Sequence, residues 1–350
     1  MSQLRLGHWL EYNLCVKVSE LGEFGLIEAL SQLTSQGVAD AGVLIGVGDD
    51  AAAWQVDGST MLATTDTLVQ GVHFTSACTW RELGWKALAT NLSDIAAMGG
   101  VPQYALVSLA LPGESEVDDV MQLYIGMLDA ADLFHTAVVG GNISSAPVFV
   151  VTVTLLGQAL ADGVLTRSAA AAGDVIGVTG YLGSSAAGLR MLTHSVQLAP
   201  EVTAFLRRAH LQPTPRVAVG QELVRQGVRA AIDISDGLIA DLRHVCEASN
   251  VGAVVNVGQV PIHPLVRDAF PGESLDLALS GGEDYELLFT CSREVMDAVR
   301  ASVECSAESA GCAVTAIGEI TEETGLTLVD DEGAPLEQGE KGWDHFKKGG

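Results

Sequence analysis

Five times in this chain a short apolar run or a helical pattern ends at a carboxylate set beside Gly, Ser, Thr or Asn. The places are Gly48-Asp49-Asp50, Thr64-Thr65-Asp66, Asn91-Leu92-Ser93-Asp94, Asp233-Ile234-Ser235-Asp236 and Gly281-Gly282-Glu283-Asp284. Asp favours turns on its own account, so turn chemistry explains any one of them. Five such ends are harder to explain that way. Few aromatics and many Gly and Ala give the chain the texture of an α/β or α+β enzyme with tight turns. Hard divalent cations such as Mg²⁺ take carboxylate oxygens from separate loops as ligands.

The charge balance bears on the same point. The chain has 350 residues with 18 Lys and Arg against 44 Asp and Glu, a formal charge of −26. Such a surface repels nucleic acid and anionic membrane. Two readings of the acidity stand side by side: a general solubility trait, or carboxylates that hold divalent cations. Nearly half the residues are apolar (48%), enough for a sizeable core. The six cysteines, Cys15, Cys78, Cys246, Cys291, Cys305 and Cys312, form no C-x-x-C pair. Zinc is therefore not expected, and unpatterned thiols suit a reducing cytoplasm. Residues 1–20 show no secretory h-region, and no apolar run reaches the ~18 residues of a membrane span.

Periodicity gives an order of elements. Phe24, Ile27, Leu30 and Leu33 predict one face of a helix. An apolar run from Val43 leads into Gly48-Asp49-Asp50, and residues 61–65 predict a strand ending at Asp66. Thr79 and Glu82 have capping-box spacing. A helix from there carries Leu83, Ala87, Leu88, Leu92 and Ile95 and stops at Gly99-Gly100. Strands are expected at 104–111, at 137–139 running into a Gly140-Gly141-Asn142 turn, and at 148–156, with a helix at 117–134. Residues 157–173 turn to Gly, Ala, Asp and Ser, which marks a domain boundary. Beyond it, strands are expected at 175–179, 230–234, 251–257, 285–290 and 314–318, with helices at 186–193, 217–226 and 238–249. The domains expected are therefore an extension over 1–20, a first domain over 21–158 and a second over 159–350.

Single residues carry different weight. Asp94 falls in the last turn of its helix, facing the negative end of the macrodipole, a position that a nearby cation would relieve. Asp233 and Asp236 bracket Ser235, and a turn there brings both carboxylates to one place or makes Asp236 a helix N-cap. No Walker A, H-R-D or D-F-G motif is present. The spacing Gly177-x-x-Gly180-x-x-Gly183-Ser184 suits a phosphate loop or a plain tight turn. Arg167 stands at the boundary in a chain poor in basic residues, and His73 follows the Asp66 strand.

Taken together in order, the motifs closely resemble those of the bacterial thiamine-monophosphate kinases. They are Gly22-Glu-Phe-Gly-Leu-Ile27, Gly46-Val-Gly-Asp-Asp-Ala-Ala52, Thr64-Thr-Asp-Thr-Leu-Val69, Val72-His73-Phe74, Lys86-Ala-Leu-Ala89 and Asn91-Leu-Ser-Asp-Ile-Ala-Ala-Met-Gly99. Leu165-Thr166-Arg167-Ser168, Asp233-Ile-Ser-Asp-Gly-Leu238, Leu279-Ser-Gly-Gly-Glu-Asp-Tyr-Glu-Leu287 and Gly342-Trp343-Asp344-His345-Phe346 complete the set. Single motifs are shared with the aminoimidazole-ribonucleotide-synthetase superfamily.

The resemblance implies a two-domain α+β, aminoimidazole-ribonucleotide-synthetase-like architecture with mixed sheets flanked by helices. It implies a homodimer formed through the first domain; the thiols place it in the cytoplasm, and the acidic charge argues against nucleic-acid or membrane partners. It further implies that ATP phosphorylates thiamine monophosphate with several Mg²⁺ ions; direct in-line transfer without a phosphoenzyme is expected because the acceptor oxygen is already anionic. Carried over by position, Asp50, Thr64, Thr65, Asp66, Asp94, Asn142, Asp233 and Asp236 are the metal set. Asp50, Asp94 and Asp236 are the catalytic residues among them. Gly141, Asn142, Arg167 and Ser235 are ATP contacts, and His73, Glu283 and Trp343 form the thiamine-phosphate site. One departure stands out: Asn142 occupies a place where many members have Asp, which keeps a carbonyl ligand but brings no charge. The competing readings are another ATP-using enzyme of the superfamily, and a non-catalytic nucleotide- or metal-binding protein.

Overall fold

The computed structural model describes residues 17–38, 42–161, 163–306 and 312–336. The first half opens with helix α1 (Val18–Val38), bent at Gly22 where φ is 77°. Ile27 and Leu30 are exposed on it, contrary to the apolar face expected, and the side chains of Phe24 and Leu33 lie outside the described set. Strands β1 (Val43–Ile45), β2 (Ala52–Val56) and β3 (Ser59–Val69) follow, then α2 (Trp80–Ala97), β4 (Val101–Leu111), α3 (Val117–Leu133), β5 (Ala137–Ser145) and β6 (Val150–Gln158). The sheet order is β1-β2-β3-β6-β4-β5. Two expectations change here. Asp66 lies inside β3, whose pairing with β6 runs on to Val69↔Val150, and Gly140-Gly141-Asn142 lies inside β5. A parallel ladder with β4, through Ser108↔Asn142 to Leu111↔Ser145, keeps those glycines extended.

The second half holds β7 (Val175–Thr179), α4 (Ser184–Thr193), α5 (Pro200–Leu211), α6 (Val217–Arg225), β8 (Ala230–Asp233) and α7 (Leu238–Ser249). It continues with β9 (Gly252–Asn256), α8 (Pro264–Ala269), α9 (Ser274–Ser280), β10 (Leu287–Cys291), α10 (Arg293–Cys305), β11 (Val314–Thr321) and β12 (Gly325–Val329). Its sheet order is β12-β9-β11-β7-β10-β8, antiparallel except for β12 beside β9. Helices α5, α8, α9 and α10 and strands β2 and β12 were not expected from the sequence.

Helix α2 joins the halves. Its N-terminus has both arms of the capping box, Thr79 accepting from the Glu82 N–H and Glu82 from the Thr79 N–H. It lies over β3 and β6 with α3 beside it, and α6 and β8 of the second half close over it. Leu83, Leu88, Leu92 and Ile95 are wholly buried, in one apolar cluster that continues through Val219 and Leu223 of α6 to Phe289 of β10. The α2–α3 crossing is tight because both helices meet at glycine. A Cβ on Gly84 would lie 1.8 Å from the Leu123 carbonyl, and one on Gly126 would lie 1.8 Å from the Arg81 carbonyl.

Candidate active site

The C-terminal end of α2 points at the join between the halves, and four elements deliver carboxylates to it. Asp50 comes from the turn before β2, Asp66 from β3, Asp94 from the last turn of α2 and Asp233 from the end of β8. Side chains alternate along a strand, so Thr64 and Asp66 share the face that carries buried Leu62 and Leu68. Carboxylate oxygens of Asp50, Asp94 and Asp233 all lie within 4.8 Å of one another. Ser93 Oγ donates to Asp233 (2.6 Å), and the Thr64 hydroxyl donates to Asp94. The Arg167 guanidinium donates to Asp50, and the Arg167 N–H donates to Asp49 (3.2 Å).

The electrostatics follow from burial. Burial, then repulsion by Asp66, Asp233 and Asp50, holds the Asp94 carboxyl well above the usual range. Asp233 is pushed up to about 8 by burial and Asp50. Asp50 is also raised by burial, although Arg167 works against it, and Asp66 is raised by burial against the Thr90 hydroxyl. Asp49 rises to about 6, through burial and then Asp50. Buried carboxylates this close are costly unless a cation or protons join them. Asp50 Oδ2 is buried without a hydrogen-bond partner among the described residues. An all-oxygen, acidic donor set with one oxygen left unserved fits a hard divalent cation.

Asp236 is separated from Asp233. Its carboxylate lies within 4.8 Å of ligand atoms of Asp241 and His244, in a second group. The cap of α7 is Gly237 (φ 117°), not Asp236. The turn is anchored by Asp241, which is buried and accepts from the N–H groups of Ser235, Asp236 and Gly237 at 3.0–3.1 Å. Ser235 is therefore held by its backbone, and its carbonyl accepts from Glu283 N–H at 2.7 Å.

Glu283 faces α2 across the join. Lys86 Nζ lies 2.7 Å from its Oε1 and His210 Nδ1 lies 3.3 Å from its Oε2. Burial works to raise this carboxyl, but Lys86 overcomes it and holds it below the ordinary Glu value, while burial and Lys86 push the His210 imidazole down to about 4, so that it meets Glu283 as a neutral ring. His73 accepts from Val69 N–H through Nδ1 at 2.9 Å. Cys78, which feels both Lys86 and Glu283, lines a small cavity with Phe74, Trp80 and Leu83.

Other expected residues stand elsewhere. The Thr65 hydroxyl turns to the far side of the sheet, bonded to Val153 O (3.1 Å) and Thr154 Oγ1 (3.0 Å). Gly141 and Asn142 lie on edge strand β5, three strands from β3, or about 14 Å at ordinary strand spacing. Asn142 pairs with Ser108 on the exposed side. Trp343 lies outside the described residues. Sequence reading missed Lys86, Ser93, His210 and Asp241 as parts of these networks. Lys86 had a signal, a lone cation in the apolar stripe of a helix. His210 had none, because only the docking of α5 brings it to Glu283.

Two family models match the chain: AIR synthase related protein, N-terminal domain, over residues 48–159, and AIR synthase related protein, C-terminal domain, over residues 171–331. The thiamine-monophosphate kinase of Salmonella typhimurium is 40% identical, over 93% of this chain and 98% of that protein. The Bacillus subtilis thiamine-monophosphate kinase is 38% identical, over 93% of this chain and all of that one. Among solved structures, AaThiL complexed with AMPPCP and TMP superposes with a TM-score of 0.83 at 33% identity, covering 95% of this chain and 100% of that chain.

Proposed function

This chain belongs to the AIR synthase related family, among the thiamine-monophosphate kinases, and from that premise we propose how its own residues carry the reaction. It is an ATP-dependent kinase that phosphorylates thiamine monophosphate. The observation that carries the mechanism is the trio Asp50, Asp94 and Asp233, the first and last buried and Asp94 half-buried, with ligand oxygens within 4.8 Å of one another.

Two phosphate-bearing substrates must meet beside an acidic surface, where bare repulsion between them is prohibitive at low dielectric. Bound Mg²⁺ supplies the positive charge that lets the phosphates approach and that stabilises the transferring group. Asp50, Asp94 and Asp233 are its proposed holders, with Asp66 and Thr64 beside them. Asp236 extends the set from the neighbouring turn. Ser93 and Thr64 aim the carboxylates through their hydroxyls. Arg167 holds Asp50 and presents a cation to the nucleotide, with Ser235 as a further ATP contact. The acceptor phosphate oxygen is already anionic, so direct in-line transfer needs no strong base and no phosphoenzyme. Glu283 and His73 form the proposed acceptor site, and the resemblance adds Trp343, outside the described residues; an aromatic ring on the thiazolium would contribute ~0.5–2 kcal/mol through a cation–π contact.

The outer face of the first sheet supports a homodimer. Helices α2 and α3 cover only one side, while Tyr104 and Leu106 stand exposed on the other among Thr65, Thr67, Thr152 and Thr154. A second copy is the proposed cover, and it gives Thr65, Gly141 and Asn142 their place in the working enzyme. Sedimentation equilibrium is expected to return twice the 36.4 kDa chain mass; a monomer at micromolar concentration removes the dimer. No helix among the described residues is long and apolar enough to cross a membrane. A cytoplasmic site is proposed because ATP and reduced thiols coexist there, and cell fractionation checks it.

The direct test is product analysis. Given ATP, Mg²⁺ and thiamine monophosphate, the protein is expected to release ADP and thiamine diphosphate in equal amounts, followed by coupled assay and mass spectrometry. EDTA is expected to stop turnover and added Mg²⁺ to restore it. ADP without thiamine diphosphate overturns the acceptor, and turnover indifferent to EDTA overturns the metal.

A further inference from the structure

The loop between α9 and β10 is held in an uncommon shape. Glu283 (φ 65°) and Tyr285 (φ 52°) both adopt the left-handed region, which residues with a side chain seldom enter. Backbone bonds enforce it, Glu283 N–H to Ser235 O (2.7 Å) and Tyr285 N–H to Ile234 O (2.9 Å). Asp284 between them is bound by the N–H groups of Gly183 (2.6 Å) and Ser185 (3.0 Å) at the start of α4. The consequence is that Glu283 projects out of the second half toward α2.

Lys86 meets it there. Its side chain is 1% exposed and its Nζ lies 2.7 Å from Glu283 Oε1. A buried ammonium on the apolar stripe of a core helix is poor packing, and an apolar residue of similar volume is often as stabilising or more so. The ammonium is too deeply covered to reach a phosphate itself, so its effect passes through Glu283. His210 on α5 and His73 after β3 face the same carboxylate, and the neutral Cys78 thiol, itself influenced by Glu82 and Arg207, and the Tyr285 hydroxyl also feel its charge.

We propose that Lys86 is a positioning residue for the acceptor: reaching across the join between the halves, it fixes Glu283 as a charged hydrogen-bond acceptor for the rings of thiamine monophosphate. This rests on the reading that Glu283 faces the acceptor. The strained loop supplies the direction of Glu283, and Lys86 supplies its charge state and its place. The pairing also makes the acceptor site conditional on correct docking of the two halves, since each contributes one partner.

The test compares Lys86→Met, Lys86→Arg, Glu283→Gln and the Lys86→Met/Glu283→Gln double variant by steady-state kinetics with each substrate varied in turn. Lys86→Met is expected to raise KM for thiamine monophosphate about tenfold or more while KM for ATP stays within about twofold. The acidic limb of kcat/KM for the acceptor is expected to move to higher pH, because Glu283 keeps its proton longer without the ammonium. Adding Glu283→Gln to the Met variant is expected to cost little more, as for two residues acting as one unit. An unchanged acceptor KM, or equal rises for both substrates, overturns the proposal. Should Met at this position prevent folding, Lys86→Arg decides: a planar guanidinium does not reproduce the single-point contact, so a raised acceptor KM is expected and a wild-type value overturns it. Turnover by the unaltered enzyme is scored first, and its absence removes the substrate assignment instead of the role of Lys86.

Discussion

Asp94→Asn is expected to lower kcat by about three orders of magnitude, on the scale of losing a main electrostatic contact in a transition state, and to leave a folded protein. The change keeps the shape and removes a charge from a site where burial and three neighbouring carboxylates oppose it. It also removes a negative charge from the C-terminal end of α2, where the macrodipole disfavours one. Without divalent ions the variant is therefore expected to melt higher than the wild type at neutral pH.

The sign follows from linkage. Asp94 and Asp233 hold their protons more tightly folded than unfolded, so the stability present at low pH is lost as pH rises from the ordinary carboxylate value of 3.8 through their folded values, about 8 for Asp233. In EDTA the wild-type Tm is expected to fall across that window, and the Asn variant to fall less steeply. Mg²⁺ is expected to restore the wild type, by about 2.7 kcal/mol at a hundred times its Kd, and to help the variant little. Retained turnover in the Asn variant, or a wild-type Tm that climbs with pH in EDTA, contradicts the carboxylate cluster.

Gly126→Val is expected to destabilise the protein by about 4 kcal/mol or more, a large share of the roughly 5–15 kcal/mol that holds a typical domain folded, so that soluble yield falls sharply. A Cβ there would sit 1.8 Å from the Arg81 carbonyl oxygen and 2.6 Å from its carbon, both rigid backbone. The helices can only separate, and α2 carries Lys86, Thr90, Ser93 and Asp94. Any folded fraction is therefore expected to lose activity as well. Gly113→Ala, where an added Cβ meets nothing within 4 Å, is the matched control and is expected to melt with the wild type. Equal melting of the Val variant and the control contradicts the close crossing.

Much of the framework was legible because its causes are local. Thr79 and Glu82 announce the start of α2 through a capping box that needs only neighbours three apart, and the structure contains both of its hydrogen bonds. The strand expected at 148–156 forms as β6, although it buries only every second residue. Other readings failed where a distant partner decides. Gly140-Gly141-Asn142 looks like a turn until β4 lies alongside, and Asp66 looks like a strand end until β6 extends the ladder past it. Ile27 and Leu30 have helical spacing, yet α1 leaves them exposed.

The site divides the same way. That carboxylates would stand at turns and element ends was written in short motifs and holds for Asp50, Asp94, Asp233 and Glu283, since turn and capping preferences act within a few residues; it fails for Asp66, inside β3. Which carboxylates meet was not. Asp233 and Asp236 are three residues apart, yet one joins Asp50 and Asp94 while the other joins Asp241 and His244. The reason is that Asp241 pulls three N–H groups around itself and turns the chain between them. Lys86 and Glu283 are likewise paired only because the second half docks on α2. Local preference set the kinds of residue and the ends of elements; burial of α2 between two sheets decided which charges face one another.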